Sequence, residues 1–186
     1  QTRLQTDIET EDWAELIESL DKGTREARLK FCLFKTLHNW HWTPAKLCKA
    51  GLLQHANCWR CPNASCDLIH ILCDCPSVQS FWTGIDRTLQ EVIPFETPLP
   101  KPLILLHDTG PISDLSRPQR RLLHTALAVA KICILRHWRS PKPPTREEWH
   151  VAMVQAATHE RVIYNLQDQA DIFMQTWTPF LQGNTT

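Results

Sequence analysis

Residues 58–82, CWRCPNASCDLIHILCDCPSVQSFW, hold the side chains whose types and spacing could do chemistry. Two residues separate Cys58 from Cys61, eight more lead to His70, and four more lead to Cys75. Two close thiols, an imidazole and a further thiol are the ligand set of a structural zinc site of the Cys3His type. The two-residue gap lets a tight turn aim both sulfurs at one point. The longer arm brings His70 back, and a short turn or first helical step places Cys75. All four positions are protein ligands, so none stays open for catalysis. The expectation is one structural Zn2+ in a metal-pinned binding module, with no catalytic residues. Cys66 and Cys73 lie in the same segment and could substitute as ligands. Cys73 is too close to Cys75 for both to reach one ion without distortion.

Cation-rich stretches flank this segment. Lys22, Arg25, Arg28, Lys30, Lys35, Lys46 and Lys49 stand against Asp21 and Glu26 alone, and residues 115–142 contain no Asp or Glu. Trp40, His41, Trp42 and Trp59 sit beside the first stretch. Cations take phosphates and flat rings take bases, the two needs of a single-stranded nucleic-acid surface. The expected contacts are Trp40, His41, Trp42, Lys46, Lys49, Trp59, Arg60, Arg117, Arg120, Arg121, Lys131, Arg136 and Arg139. The plain alternative is that the charges form a solvated face and the tryptophans a core. Lys+Arg and Asp+Glu number 20 each, so net charge alone points to no partner.

The elements that must position these groups are helices. Thr6 and Glu9 have capping-box spacing, with Thr10 as another cap, and Trp13, Leu16, Ile17 and Leu20 follow a helical stripe over 6–20. A second helix spans 24–41, capped by Thr24, with Leu29, Cys32, Leu33 and Leu37 inward and Phe31 and Phe34 widening the stripe. Thr43 and Pro44 start a short helix that ends at Gly51. Cys75-Pro76 starts another, with Val78, Phe81, Trp82, Ile85, Leu89 and Val92 on its apolar side. Leu103–Leu106 is a short strand or a buried extended piece. Ser116 caps a long helix over 117–139. Thr145 and Glu148 form a capping box for a helix over 146–166. A last turn or two at 169–177 stops before Pro179.

The fold class is therefore mostly α: a helical domain with a small zinc knuckle and little or no β. Residues 1–93 carry N-terminal helices and the knuckle, 94–114 a proline-rich linker, and 115–186 a C-terminal helical part packed on the first. Five of the eight cysteines crowd into the metal segment, and no apolar leader or membrane-length run appears. These features point to a reducing compartment, nucleus and cytoplasm, and not to secretion. No Walker loop, H-E-x-x-H, G-x-S-x-G or paired-carboxylate motif appears, which argues against an enzyme.

The order K-T-L-H-N-W-H-W-T-P-A-K-L-x-K-A-G-L (35–52), C-W-R-C (58–61) and L-I-H-I-L-x-D-C-P-S-V-Q-S-F-W (68–82) resembles the zinc-binding region that follows the polymerase in reverse transcriptases of non-LTR retrotransposons. The likeness runs more loosely through 130–149. It implies a C-terminal region of such a protein, or a stand-alone relic of one, without the polymerase's paired aspartates. It further implies ligands at Cys58, Cys61, His70 and Cys75, and a role in holding RNA or DNA during target-primed reverse transcription. The implied partners are RNA and/or DNA and the parent polymerase domain, in cis or trans, with no membrane. One departure is Cys73, where members commonly carry a large apolar residue. The rival expectation is a structural or protein-docking zinc module without direct nucleic-acid binding.

Overall fold

Capping side chains begin the longest helices. A computed structural model of the chain describes residues 17, 23–62, 65–95, 98–107 and 110–183, with the side chain of residue 111 left out. Among these residues there are helices, turns and loops and no strand. Helix α1 is Ala27–Leu37, α2 Pro44–Lys49, α3 Gln79–Gln90, α4 Lys101–Leu106, α5 Arg117–Arg136, α6 Arg146–Leu166 and α7 Ala170–Gly183. A five-residue π-turn, His70–Asp74, and a 3-10 turn, Pro76–Val78, precede α3. The helix expected over 6–20 lies outside the described residues, apart from Ile17, which is helical and exposed.

Local chemistry sets these boundaries. Ser116 and Thr145 each accept a hydrogen bond from the third backbone N–H of their helix, and Gln119 and Glu148 return one. Each such cap contributes about 1 kcal/mol. Thr43 Oγ1 accepts from Lys46 N, Pro44 opens α2, and Gly51 takes φ +73° just past its end. Thr24, by contrast, is not the cap of α1, which starts at Ala27 with Glu26 before it.

Helix α5 is the axis of the fold. Residues 122–131 are buried without interruption, so this helix is enclosed on all sides. Helices α1, α6 and α7 pack on it, and α4 packs on α1. One apolar core runs from Leu29 to Phe180. The 94–114 stretch carries more than a linker needs: Leu99, Leu103, Ile104, Leu105 and Ile112 all enter that core. Leu103–Leu106 is helical, not extended. A four-residue apolar run has no period to separate strand from helix, and here Pro102 sits in the first turn, where its fixed φ suits a helix.

The last helix also corrects an expectation: it runs through Pro179 to Gly183. An internal proline costs about 3 kcal/mol. Gln175, whose carbonyl loses its partner, is exposed and can meet water. Burial of Phe173, Trp177 and Phe180 contributes about 2 kcal/mol each, which outweighs that cost.

One buried carboxylate joins the two ends of the fold. Glu160 Oε1 accepts from Thr24 Oγ1 and from Arg25 N, both at 2.7 Å, and Oε2 accepts from Trp177 Nε1 at 3.0 Å. Replacing Glu160 with alanine strands these donors. The expected loss is about 3 kcal/mol or more in urea unfolding, against under about 1 kcal/mol for exposed Glu147→Ala.

Candidate metal centre and its surroundings

The four expected ligands converge. One ligand atom each from Cys58, Cys61, His70 and Cys75 lies within 4.8 Å of the other three. Cys58 Sγ is 3.9 Å from Cys75 Sγ, and Cys61 Sγ is 3.3 Å from His70 Nε2. A tetrahedron built with metal–sulfur bonds of about 2.3 Å and metal–nitrogen bonds of about 2.0 Å has edges of about 3.8 Å and about 3.5 Å. The set can therefore hold one metal ion. Cys66 and Cys73, the alternative ligands, do not join it. Both are buried, and Cys73 is pushed up to about 12 by burial, which keeps it a thiol.

The π-turn explains how His70 and Cys75 can reach one ion. In an α-helix, residues five apart point about 140° from each other. Here Cys75 N donates to His70 O at 2.9 Å, an i to i+5 closure that brings Cys75 back over His70. Asp67 Oδ1 caps the turn by accepting from His70 N at 2.8 Å. Pro76 holds Cys75 extended, at φ −66° and ψ 122°, which stops the turn there. Side chains of α3 take up carbonyls of the turn: Trp82 Nε1 donates to Leu72 O and Gln79 Nε2 to Cys73 O, both at 2.7 Å.

Electrostatics favour a thiolate at Cys58. Burial pushes the thiol up, but the backbone N–H groups of Arg60 and Cys61, with His70 and Cys66, pull it down to about 6. Burial and the neighbouring Cys58 hold Cys66 far above the usual thiol range.

Two expected nucleic-acid contacts are corrected. Lys131 is fully buried on α5, with Nζ 3.4 Å from Leu105 O, and cannot reach a phosphate. Arg60 is turned inward. Its guanidinium donates to Ile71 O at 3.3 Å and to Ile134 O at 3.1 Å, clasping the metal loop to the last turn of α5. That end of a helix carries partial negative charge, which suits a guanidinium.

The remaining cations form two groups. Helix α5 has 20 residues and is about 30 Å long, so its ends are separate surfaces. At the N-terminal end, Arg121 donates to Tyr164 Oη at 2.6 Å, near exposed Arg117 and half-buried Arg120. At the C-terminal end, Arg136 and Arg139 are exposed, and the Arg139 guanidinium sits 4.6 Å from the Trp138 ring centroid. Lys46 Nζ donates to Asn39 O, while Lys49 is exposed.

The tryptophans divide by location. Trp82, Trp149 and Trp177 are buried, whereas Trp40, Trp42 and Trp59 are 60%, 63% and 46% exposed. The three exposed rings lie just before the metal loop or within it. His41 sits between two of them, with Nε2 3.2 Å from Thr36 Oγ1. The threonine proton goes to Cys32 O at 2.9 Å, so the imidazole is the donor to Thr36. Burial holds His41 below the usual histidine range, hence neutral at pH 7.

Phe31 and Phe34, expected to widen the buried stripe of α1, are exposed instead. Phe34 packs edge-on against Trp40 at 5.4 Å between centroids. Position along the helix held the missed signal for Lys131. Leu127, Lys131 and Ile134 stand at i, i+4 and i+7, on one face. No protein-family model matches this chain. No described helix is long and apolar enough to cross a membrane.

Proposed function

We propose that the chain is a zinc-dependent nucleic-acid-binding module, for RNA and/or single-stranded DNA, that supports target-primed reverse transcription in a non-LTR retrotransposon protein. The ion is zinc, held by Cys58, Cys61, His70 and Cys75. Three thiolates and an imidazole at tetrahedral spacing are soft, closed coordination, which suits structural zinc. The module binds rather than catalyses, and works in the nucleus and cytoplasm beside the parent polymerase domain. The observation that carries the reading is that exposed Trp42 shares one groove with Ile71 of the metal turn, Trp138 and exposed Arg139. The sequence likeness described above points the same way.

The test is fluorescence anisotropy of the zinc-loaded chain with labelled single strands across a salt series. Affinity falls steeply with salt, because released counterions supply much of the binding energy. Arg136→Glu with Arg139→Glu weakens binding about tenfold or more, whereas Arg117→Glu with Arg120→Glu changes it far less. No salt-dependent binding to any strand would overturn the reading.

The exposed aromatic face of Phe31, Phe34 and Trp40 favours a second reading, a protein-docking module for a polymerase. On that reading both charge-reversal pairs leave nucleic-acid binding unchanged.

A further inference from the structure

A groove of about 480 Å³ opens between the metal turn and the end of α5. Its size falls within the range of small-ligand sites. Trp42 and Leu47, Ile71 of the π-turn, and Leu135, Trp138 and Arg139 line it. No carboxylate lines it. Trp42 is 63% exposed although it stands over this cavity. The Arg139 guanidinium already lies against one face of Trp138.

These features fit one occupant. Indole faces and a guanidinium plane are the surfaces on which bases stack. The lining supplies apolar walls for a ring and a single cation, Arg139, for an adjoining phosphate. An acidic peptide would need more than one cation in the lining. An apolar peptide would gain nothing from Arg139.

We propose that this groove receives one unpaired nucleobase of a bound strand, stacked on Trp42, with the neighbouring phosphate on Arg139. The assignment rests on the nucleic-acid-binding reading above and adds a place for a base. Trp138 is a further contact, and Ile71 ties the shape of the groove to the metal turn.

The experiment uses the full zinc-loaded chain and short ribose and deoxyribose oligonucleotides, each with all its bases and in a fully abasic form. Stacking one base is worth about 1–3 kcal/mol, so the native chain binds the base-bearing strand about tenfold more tightly than the abasic one. Trp42→Ala removes most of that preference and leaves abasic binding unchanged, while Trp42→Phe restores part of it. Bases also quench the tryptophan emission, and the quenching drops in Trp42→Ala. If the ribose strand alone shows the preference, the occupant is RNA; if both show it, the groove reads bases irrespective of sugar. A native chain that binds both forms equally, or a Trp42→Ala chain that keeps the full preference, overturns the groove assignment and leaves nucleic-acid binding standing. Absence of binding to every strand overturns both. Circular dichroism of Trp42→Ala confirms the unchanged fold expected for so exposed a ring.

Discussion

Chelation of the metal, or replacement of His70 with alanine, lowers the melting temperature by about 10 °C or more and removes the one bound ion per chain. The reason lies in what else holds the metal loop. Between Leu53 and Cys61 no large side chain is fully buried, and Trp59 is half in water. Apart from the Arg60 clasp and Ser77 Oγ donating to Arg60 O, few bonds fix the loop: Cys66 N donates to Ala56 O at 2.8 Å, and Ala45 N donates to Cys66 O at 3.1 Å. Each ordered residue costs about 1–2 kcal/mol of backbone entropy. Structural zinc supplies about 10–16 kcal/mol, enough to order such a stretch. Differential scanning calorimetry with and without chelator, paired with metal analysis, measures the effect. A metal-free chain with the native melting temperature would defeat the assignment of a structural ion. Trp59→Ala serves as the control, because that ring holds no ligand, and it should leave metal content unchanged.

Lys131→Met is expected to raise stability at pH 7 by about 2 kcal/mol and to flatten its dependence on pH. Lys131 is enclosed in the core near His107, Cys32 and Cys73, and its hydrogen bond to Leu105 O is long, at 3.4 Å. Burial pushes its ammonium down to about 7, while nearby Cys32 and Cys73 pull slightly the other way. The unfolded chain keeps the ordinary lysine value of about 10.4. Below pH 7 both states hold the proton, and the cost of burying the charge is fully present. As pH rises above 7 the folded state sheds the proton and the unfolded state does not, so stability increases. Burial keeps His107 neutral, which adds a rise in the same direction through the acid range. Cys73, at about 12, and Cys133, at about 11, oppose it. The unfolded thiols ionise from about pH 8.5 while the folded ones stay protonated, and stability then falls. Cys58, held near 6, adds a rise common to both chains, so the part assigned to Lys131 is the difference between them, read between about pH 7 and pH 8.5. Urea unfolding of both chains across that window should give converging curves. Parallel curves would mean that Lys131 is charged in the fold at all these pH values.

Legibility in the sequence followed the range of the interaction. Ser116, Thr145 and the Thr43-Pro44 pair were readable because a cap is a contact over three residues. The boundaries of α6 followed directly. The four ligands were readable because thiol and imidazole at turn spacing have few other uses. The π-turn was not, since closure over five residues leaves no mark in the residue pattern. Arg60 was misjudged because its partner, Ile134 O, is 74 residues away. Lys131 is hidden when charge is summed along 115–142, because its burial follows from its place around the helix, between Leu127 and Ile134. The same holds for Glu160, which sits with Ala156, Ala157 and Tyr164 on the buried side of α6.

Glu160 also sets a timetable for synthesis. Thr24 leaves the ribosome long before the carboxylate that holds it, 136 residues later, and Trp177 follows after that. Until then the inward stripe of α1, with Leu29 and Leu33, has no complete surface to cover it. The nascent chain must carry that apolar stripe in the open, a state open to chaperones and to aggregation. Ribosome-stalled chains ending before α7 should therefore be protease-sensitive at their N-terminal end, although every residue cut there has already been made.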